Sequence, residues 1–191
     1  MVSVVLFLAP GFEEIETATV VDVLRRCGVK VMITGLASGA IKGAHGLKLV
    51  LDISIDDVAV TNFDSVVCPG GNPGYVNLRE DRRVLATVRE AFLSNKLVAA
   101  ICAAPAVLSD AGILRNRNCT IYPGMEAELE KGGGKPQKDL VVEDGNIITS
   151  QGPATALMFS LKVAERLVDK KTVEVVREKT LDLRRNSMVG R

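Results

Sequence analysis

Three groups of residues in this chain could do chemistry together. They are Cys102 in the run LVAAICAAPAVLSDAG (97–112), the glutamates of APGFEEIE (9–16) and the glycines of CPGGNPG (68–74). Cys102 follows an apolar run, residues 97–101, with the pattern of a strand buried on both faces. After it come Ala103, Ala104, Pro105, Ala106, Val107 and Leu108, small helix formers with a proline at an early helical position. A cysteine at such a turn is pushed out of the sheet edge and stands at the positive end of a helix. That position stabilises a thiolate and is expected to lower the thiol pKa from about 8.5 toward roughly 3.5–7.5, which makes Cys102 the candidate nucleophile. The plain alternative is a buried, inert cysteine of the kind common in cores.

A thiolate that adds to a carbonyl needs donors for the resulting oxyanion and a group that moves protons. The backbone N–H groups at Gly70, Gly71 and Ala103 are the candidate donors, each worth about 3–4 kcal/mol in hydrolytic sites. An ordinary turn is the competing reading of residues 69–74. Glu13, Glu14 and Glu16 fall in the first turn of a helix, where carboxylates suit the dipole whatever their role. With Ile15 and Ala18 expected to turn inward, at least one carboxyl should lie near the sheet edge, and the spacing does not say which.

The elements that must position these residues follow from the hydrophobic pattern. Strands are expected at 2–8, 29–35, 63–68, 97–101 and 118–122. Helices are expected at 12–26, closed by Gly28, and at 81–95, 124–130, 153–168 and 170–181. Residues 38–52 read as a hairpin-like excursion at the sheet margin, and 140–149 as a hairpin turning at Glu143-Asp144-Gly145. The tail, 182–191, is polar and basic and is expected to fray. This alternation predicts an α/β fold, a mainly parallel sheet with helices on both faces, in one domain over 1–191. Ligands then sit at the carboxyl ends of the strands, where the loops 9–16, 69–74, the Cys102 turn and 150–155 converge.

Composition narrows the function. The 24 basic and 23 acidic residues nearly cancel, which argues against a nucleic-acid or membrane-surface partner. No apolar run approaches the roughly 20 residues of a membrane span, and the apolar start has no basic residue before it, so it reads as a strand rather than a signal peptide. Cys27, Cys68, Cys102 and Cys119 form no CxxC pair, as expected of a reduced, cytoplasmic protein. With His45 as the single histidine, no metal site of the usual zinc type is expected.

The stretches APGFEEIE, VVDVLRRCGVKV, VVCPGGNPG, AAICAAPAVL and TSQGPATA, with the final helices, resemble the DJ-1 branch of the DJ-1/PfpI (ThiJ) superfamily, in the same order from about Val2 to Leu181. The resemblance implies a flavodoxin-like, doubly wound homodimer that uses no cofactor, with the helix 14–26 at the dimer face. It implies that Cys102 is a reactive, oxidisable nucleophile and that Glu16 is protonated and hydrogen-bonded to its sulfur. It maps Gly71 and Ala103 onto backbone donors, and Gly70, Gln151, Gly152, Pro153 and Tyr122 onto the pocket. His45 stands about where the family reaches across the dimer with an arginine, so it is expected near the partner subunit's pocket; a solvated loop histidine is the alternative. Two positions depart from the pattern. Tyr122-Pro123 stands where the human member has a histidine before proline, and Ala103 where peptidase-like members have a histidine after the cysteine. Both absences weaken a protease assignment, because a thiol's general base is normally histidine. The implied activity is conversion of a small dicarbonyl such as methylglyoxal to lactate, or removal of glycation adducts. The alternative is a redox sensor or chaperone whose Cys102 becomes a sulfinate, with peptidase and thiamine-biosynthesis roles behind both.

Overall fold

The computed structural model describes residues 1–182. The chain runs through β1 (Ser3–Leu8), α1 (Glu14–Arg26), β2 (Lys30–Gly35), the short strands β3 (Ala40–Lys42), β4 (Lys48–Val50) and β5 (Ile53–Ser54), and β6 (Ser65–Cys68). It continues through α2 (Gly74–Glu80), α3 (Arg82–Leu93), β7 (Leu97–Ile101), α4 (Pro105–Asp110), β8 (Asn118–Cys119) and α5 (Glu126–Lys131). The remainder is β9 (Lys135–Pro136), β10 (Val141–Asp144), β11 (Ile147–Ser150), α6 (Ala156–Leu167) and α7 (Lys170–Lys179). The main sheet has the order β10-β11-β7-β6-β1-β2-β5, parallel throughout except for the β10 edge, as the strand–helix alternation predicts.

The central strands carry apolar residues in both phases of their two-residue period, so each face of the sheet builds its own core. On one face Val5, Phe7, Val66 and Val98 pack under Leu78 of α2, Val88 of α3, Val107 of α4 and Leu129 of α5. On the other, Leu6, Leu8, Val67 and Ile101 pack under Val20 of α1, Phe159 of α6 and Val173 of α7. The excursion at 38–52 is an antiparallel pair, β3 with β4, outside the main sheet.

Several elements differ from the sequence expectation. Helix α2 opens at Gly74, directly after the glycine loop; at seven residues, with no side-chain cap, it leaves little periodic signal. In the 140–149 hairpin the strand continues through Glu143 and Asp144, and the turn is Gly145-Asn146. Those two acids stay in the strand because cations meet them: Lys162 Nζ is 2.7 Å from Glu143, and Arg117 Nη1 is 2.9 Å from Asp144. The helix expected at 153–168 begins as a 3-10 turn, Pro153–Thr155, before α6. Asp182 is buried rather than frayed, 2.7 Å from Arg177 Nη1; the rest of the expected tail, 183–191, lies outside the described residues.

Ile15 and Ala18 correct the reading of α1. Both face outward, Ile15 at 58% exposure, while Glu16, Thr17, Val20, Val23 and Leu24 form the buried stripe. A carboxyl thus takes a place in the inner face that an apolar residue would normally hold.

Candidate active site

Cys102 sits between β7 and α4 with φ of +64°, a left-handed conformation that costs a non-glycine residue about 1–2 kcal/mol. Its backbone is held there from both sides. Cys102 N–H donates to Ser150 O at 2.9 Å, extending the β7–β11 ladder, and its carbonyl accepts from Tyr122 N–H at 2.9 Å. A strained residue fixed so firmly at a strand end is a hallmark of a functional position.

Glu16 comes up beneath the sulfur. It is fully buried, and its Oε2 accepts from Gly70 N–H at 2.8 Å. Its Oε1 has no hydrogen-bond partner of regular geometry; the Cys102 sulfur is the side chain with which the carboxyl interacts. Gly70 is confined to glycine by this approach, since a Cβ there would lie 2.7 Å from Cys102 Cβ and 3.1 Å from Glu16 Oε2. Gly71 (φ +95°) is confined too: a Cβ would stand 2.3 Å from Glu13 N. Without side chains, these two glycines let backbone N–H groups reach a carboxyl and a sulfur buried side by side. The N–H groups of Gly71 and Ala103 are directed at the sulfur.

The electrostatics correct one expectation. The Cys102 thiol is pushed up to about 12, first by burial and then by the neighbouring Glu16 charge, against the pull of the Ala103 and Gly71 N–H groups. The helix that was to lower it begins only at Pro105 and has six residues, too little dipole to prevail over a buried carboxylate. Glu16 is itself raised to about 7, chiefly by burial. Once protonated, it no longer opposes a negative sulfur and becomes a donor to it. The two groups therefore titrate as a pair.

This pairing gives the stability a defined pH dependence. Because Glu16 binds its proton more tightly folded (about 7) than its ordinary 4.5, its favourable contribution is complete below about 4.5 and is lost as pH rises to about 7. Urea unfolding should show wild type losing about 2–3 kcal/mol relative to Glu16→Gln between about pH 4.5 and 8. A difference that does not change with pH would mean that Glu16 titrates as an exposed acid.

Cys102 and Glu13, Gly71, Asn72, Tyr75, Ala103, Tyr122, Met125 and Pro153 line a cavity of about 400 Å³. Of the expected pocket residues, Tyr122 and Pro153 line it and Gly152 backs Tyr122, with a Cβ position 3.5 Å from the ring. Gln151 does not: its amide is turned to Thr120 Oγ1 (3.3 Å) and Lys138 O (3.0 Å). Nor does His45, which is 74% exposed on the β3–β4 loop, its Nδ1 3.0 Å from Glu14 Oε2 and 3.7 Å from Glu13 Oε2. Sequence reasoning named Glu13 among three candidate carboxyls and Asn72 only as part of the 69–74 loop, and missed Tyr75 and Met125 as lining. Glu13 caps α1 through Ile15 N–H at 3.2 Å, while Tyr75 and Met125 flank motifs already singled out.

Among the described residues, Glu13, Glu14 and His45 are the group whose side chains could jointly approach a metal ion, with ligand atoms within 4.8 Å of one another. Glu14 already receives His45 N–H at 2.6 Å and Leu47 N–H at 3.4 Å, and the positive start of α1 disfavours a cation there.

Access separates the four thiols. Cys27, Cys68 and Cys119 are buried, at 5%, 0% and 0% exposure, and burial raises each thiol pKa, Cys68 to about 12 and Cys119 to about 11. Cys102 alone opens on a cavity, so it should be alkylated first by iodoacetamide near neutral pH. Peptide mapping that finds Cys27 or Cys119 labelled first would remove Cys102 from the role of nucleophile.

The chain is similar to known proteins over most of its length. Residues 2–166 match the sequence profile of the DJ-1/PfpI family. The chain is 42% identical over 175 residues to protein dj-1beta of Drosophila melanogaster, covering 91% of this chain and 94% of that one. The crystal structure of Drosophila DJ-1beta superposes with a TM-score of 0.89 at 40% identity, covering 94% of this chain and 97% of the other. A Caenorhabditis elegans protein named a glutathione-independent glyoxalase is 37% identical over 166 residues, 86% of this chain and 88% of its own.

Proposed function

This chain belongs to the DJ-1/PfpI family, in its DJ-1 branch, and from that premise we propose that it is a Cys102-dependent enzyme of the glyoxalase type, converting small 1,2-dicarbonyls to hydroxy acids without a cofactor. The observation that carries the reading is the contact of the Cys102 sulfur with a fully buried carboxyl whose pKa is about 7, at the floor of a small cavity. The likeness to a relative named a glutathione-independent glyoxalase supports it.

The residues assign themselves to steps. The Cys102 thiolate adds to the aldehyde carbon of methylglyoxal, forming a C–S bond, and the carbonyl electron pair becomes an oxyanion that the Gly71 and Ala103 N–H groups stabilise. Glu16 protonates that oxygen. As a carboxylate it then takes the C1 proton of the hemithioacetal to give an enediolate; the C1 hydroxyl proton passes to the C2 oxygen and Glu16 returns its proton to C2, giving a lactoyl thioester. Water cleaves the C–S bond, releasing lactate and restoring the thiol. In a hemiaminal glycation adduct, the Cys102 sulfur bonds to the same carbon as the C–N bond breaks, and Glu16 protonates the departing amine, giving the same hemithioacetal. The test is lactate formation from methylglyoxal by purified protein without glutathione. A rate no greater than that of the uncatalysed reaction overturns the proposal.

A second reading rests on the unpartnered Glu16 Oε1 beside the sulfur. Two peroxide molecules would each give one oxygen to Cys102 and leave as water, and a protonated Oε1 would donate to the resulting sulfinate. Mass spectrometry of peroxide-treated protein tests it: two oxygens held on Cys102 support a sensor, and oxidation running on to the sulfonate opposes it.

The outward face of α1 supports a homodimer. Ile15 (58% exposed) follows Glu14, which accepts the His45 and Leu47 N–H groups of the β3–β4 loop, and Ala18 and Val21 on the same side of α1 line a shallow cavity with Leu49 of β4. A second copy on this face would bring His45 toward the partner subunit. Four free cysteines suit a reducing, cytoplasmic setting.

A further inference from the structure

We propose that Arg79 is a positioning residue for the Cys102 site, tying the far ends of α2 and α4 to the first turn of α5, three short helices whose approach segments form the site; this rests on reading Cys102 as the reactive group. The helices are α2, α4 and α5, of seven, six and six residues, lengths that are not stable as isolated helices. Each begins at the site. Gly71 precedes α2, which carries Tyr75; Cys102 and Ala103 precede α4; Tyr122 and Met125 precede α5.

The far ends of α2 and α4 and the first turn of α5 meet on one guanidinium. Arg79, in the last turn of α2, grips Asp110 at the end of α4 through two bonds, Nε to Oδ2 at 2.6 Å and Nη2 to Oδ1 at 3.0 Å. The same Nη2 donates to Glu128 Oε2 of α5 at 2.9 Å, and Lys131 Nζ holds the other Glu128 oxygen at 2.6 Å. Arg79, Asp110 and Glu128 side chains are 21%, 33% and 22% exposed, sheltered enough that salt screens them less than an open surface pair. The planar fork fixes direction as well as distance, which a point charge does not. The mutual placement of α2 and α4 sets how the Gly71 and Ala103 N–H groups converge on the Cys102 sulfur. Glu16 and Glu13, the other charged groups facing that site, come from α1 and are untouched by the clamp.

The experiment compares Arg79→Met, Arg79→Lys and Asp110→Asn by thermal unfolding, by the pH profile of Cys102 alkylation with iodoacetamide, and by kcat and KM for methylglyoxal. Arg79→Met should stay folded, shift the alkylation profile to higher pH and slow alkylation at neutral pH by about three- to tenfold, as a pKa rise of half to one unit requires. Its kcat should fall with KM little changed, and Arg79→Lys should lie between it and wild type. A lysine variant indistinguishable from wild type would reduce Arg79 to a charge and overturn the proposal. So would an Arg79→Met protein that melts earlier with an unmoved alkylation profile. If Arg79→Met does not fold, the profile of Asp110→Asn decides by the same criterion. Alkylation needs no turnover, so a wild type that makes no lactate would remove the proposed reaction and leave this test standing.

Discussion

Cys102→Ser protein should make no measurable lactate from methylglyoxal, a loss of at least about 10³-fold, while remaining folded. A serine hydroxyl is a far weaker acid than a thiol, and this site already pushes the thiol up to about 12 by burial and by the Glu16 charge. An alkoxide beside Glu16 is therefore not populated, and no other side chain lining the cavity is a nucleophile of comparable strength. The substitution is close to isosteric. The backbone at position 102 is pinned by Ser150 O and Tyr122 N–H, bonds that do not involve the side chain. Unfolding free energy should therefore change by no more than about 1 kcal/mol. The measurements are lactate production, with the uncatalysed rate subtracted, and a thermal melt of the same preparation. Turnover within tenfold of wild type would place the chemistry on some other group.

What could be read from residues alone divides along a physical line. The turn at Cys102 is local: five apolar residues, then a cysteine, then alanines around a proline specify strand, bend and helix within about a dozen positions, and the structure keeps that order. The doubly wound sheet is legible for the same reason, since strands buried on both faces leave continuous apolar runs. The electrostatics are not local. The thiol is raised first by burial and then by a carboxylate that α1 delivers from a distant part of the sequence, so the rule for a cysteine at a helix start predicted the wrong direction. The face of α1 misled for a related reason: Ile15 and Ala18 look like core residues, yet the inner position belongs to Glu16. Spacing ranks residues by hydrophobicity and has no means of marking a carboxyl meant for burial. Tyr75 and Met125 reach the cavity because α2 and α5 start at this sheet edge, and neither start carries a side-chain cap that would mark it.

Glu16→Gln should separate thiol reactivity from turnover. The amide fills the same buried space and can still donate to the sulfur, yet it carries no transferable proton and no charge. Lactate formation should fall by about 10²–10⁴-fold, the range expected when a general acid–base is removed. Alkylation of Cys102 should move the other way. Above pH 7 the wild-type carboxyl is largely ionised and opposes the thiolate, and the variant lacks that charge, so it should react at least as fast as wild type. Below pH 7, where wild-type Glu16 is protonated, the two proteins should converge. Glu13→Gln is an unsuitable control, because Glu13 lines the same cavity and adds like charge beside Glu16. Glu90→Gln on the exposed side of α3, away from both the cavity and α1, removes a surface carboxylate and should leave turnover unchanged. Equal turnover in wild type and Glu16→Gln would mean that another group carries the proton, with Glu13 the next carboxyl to replace.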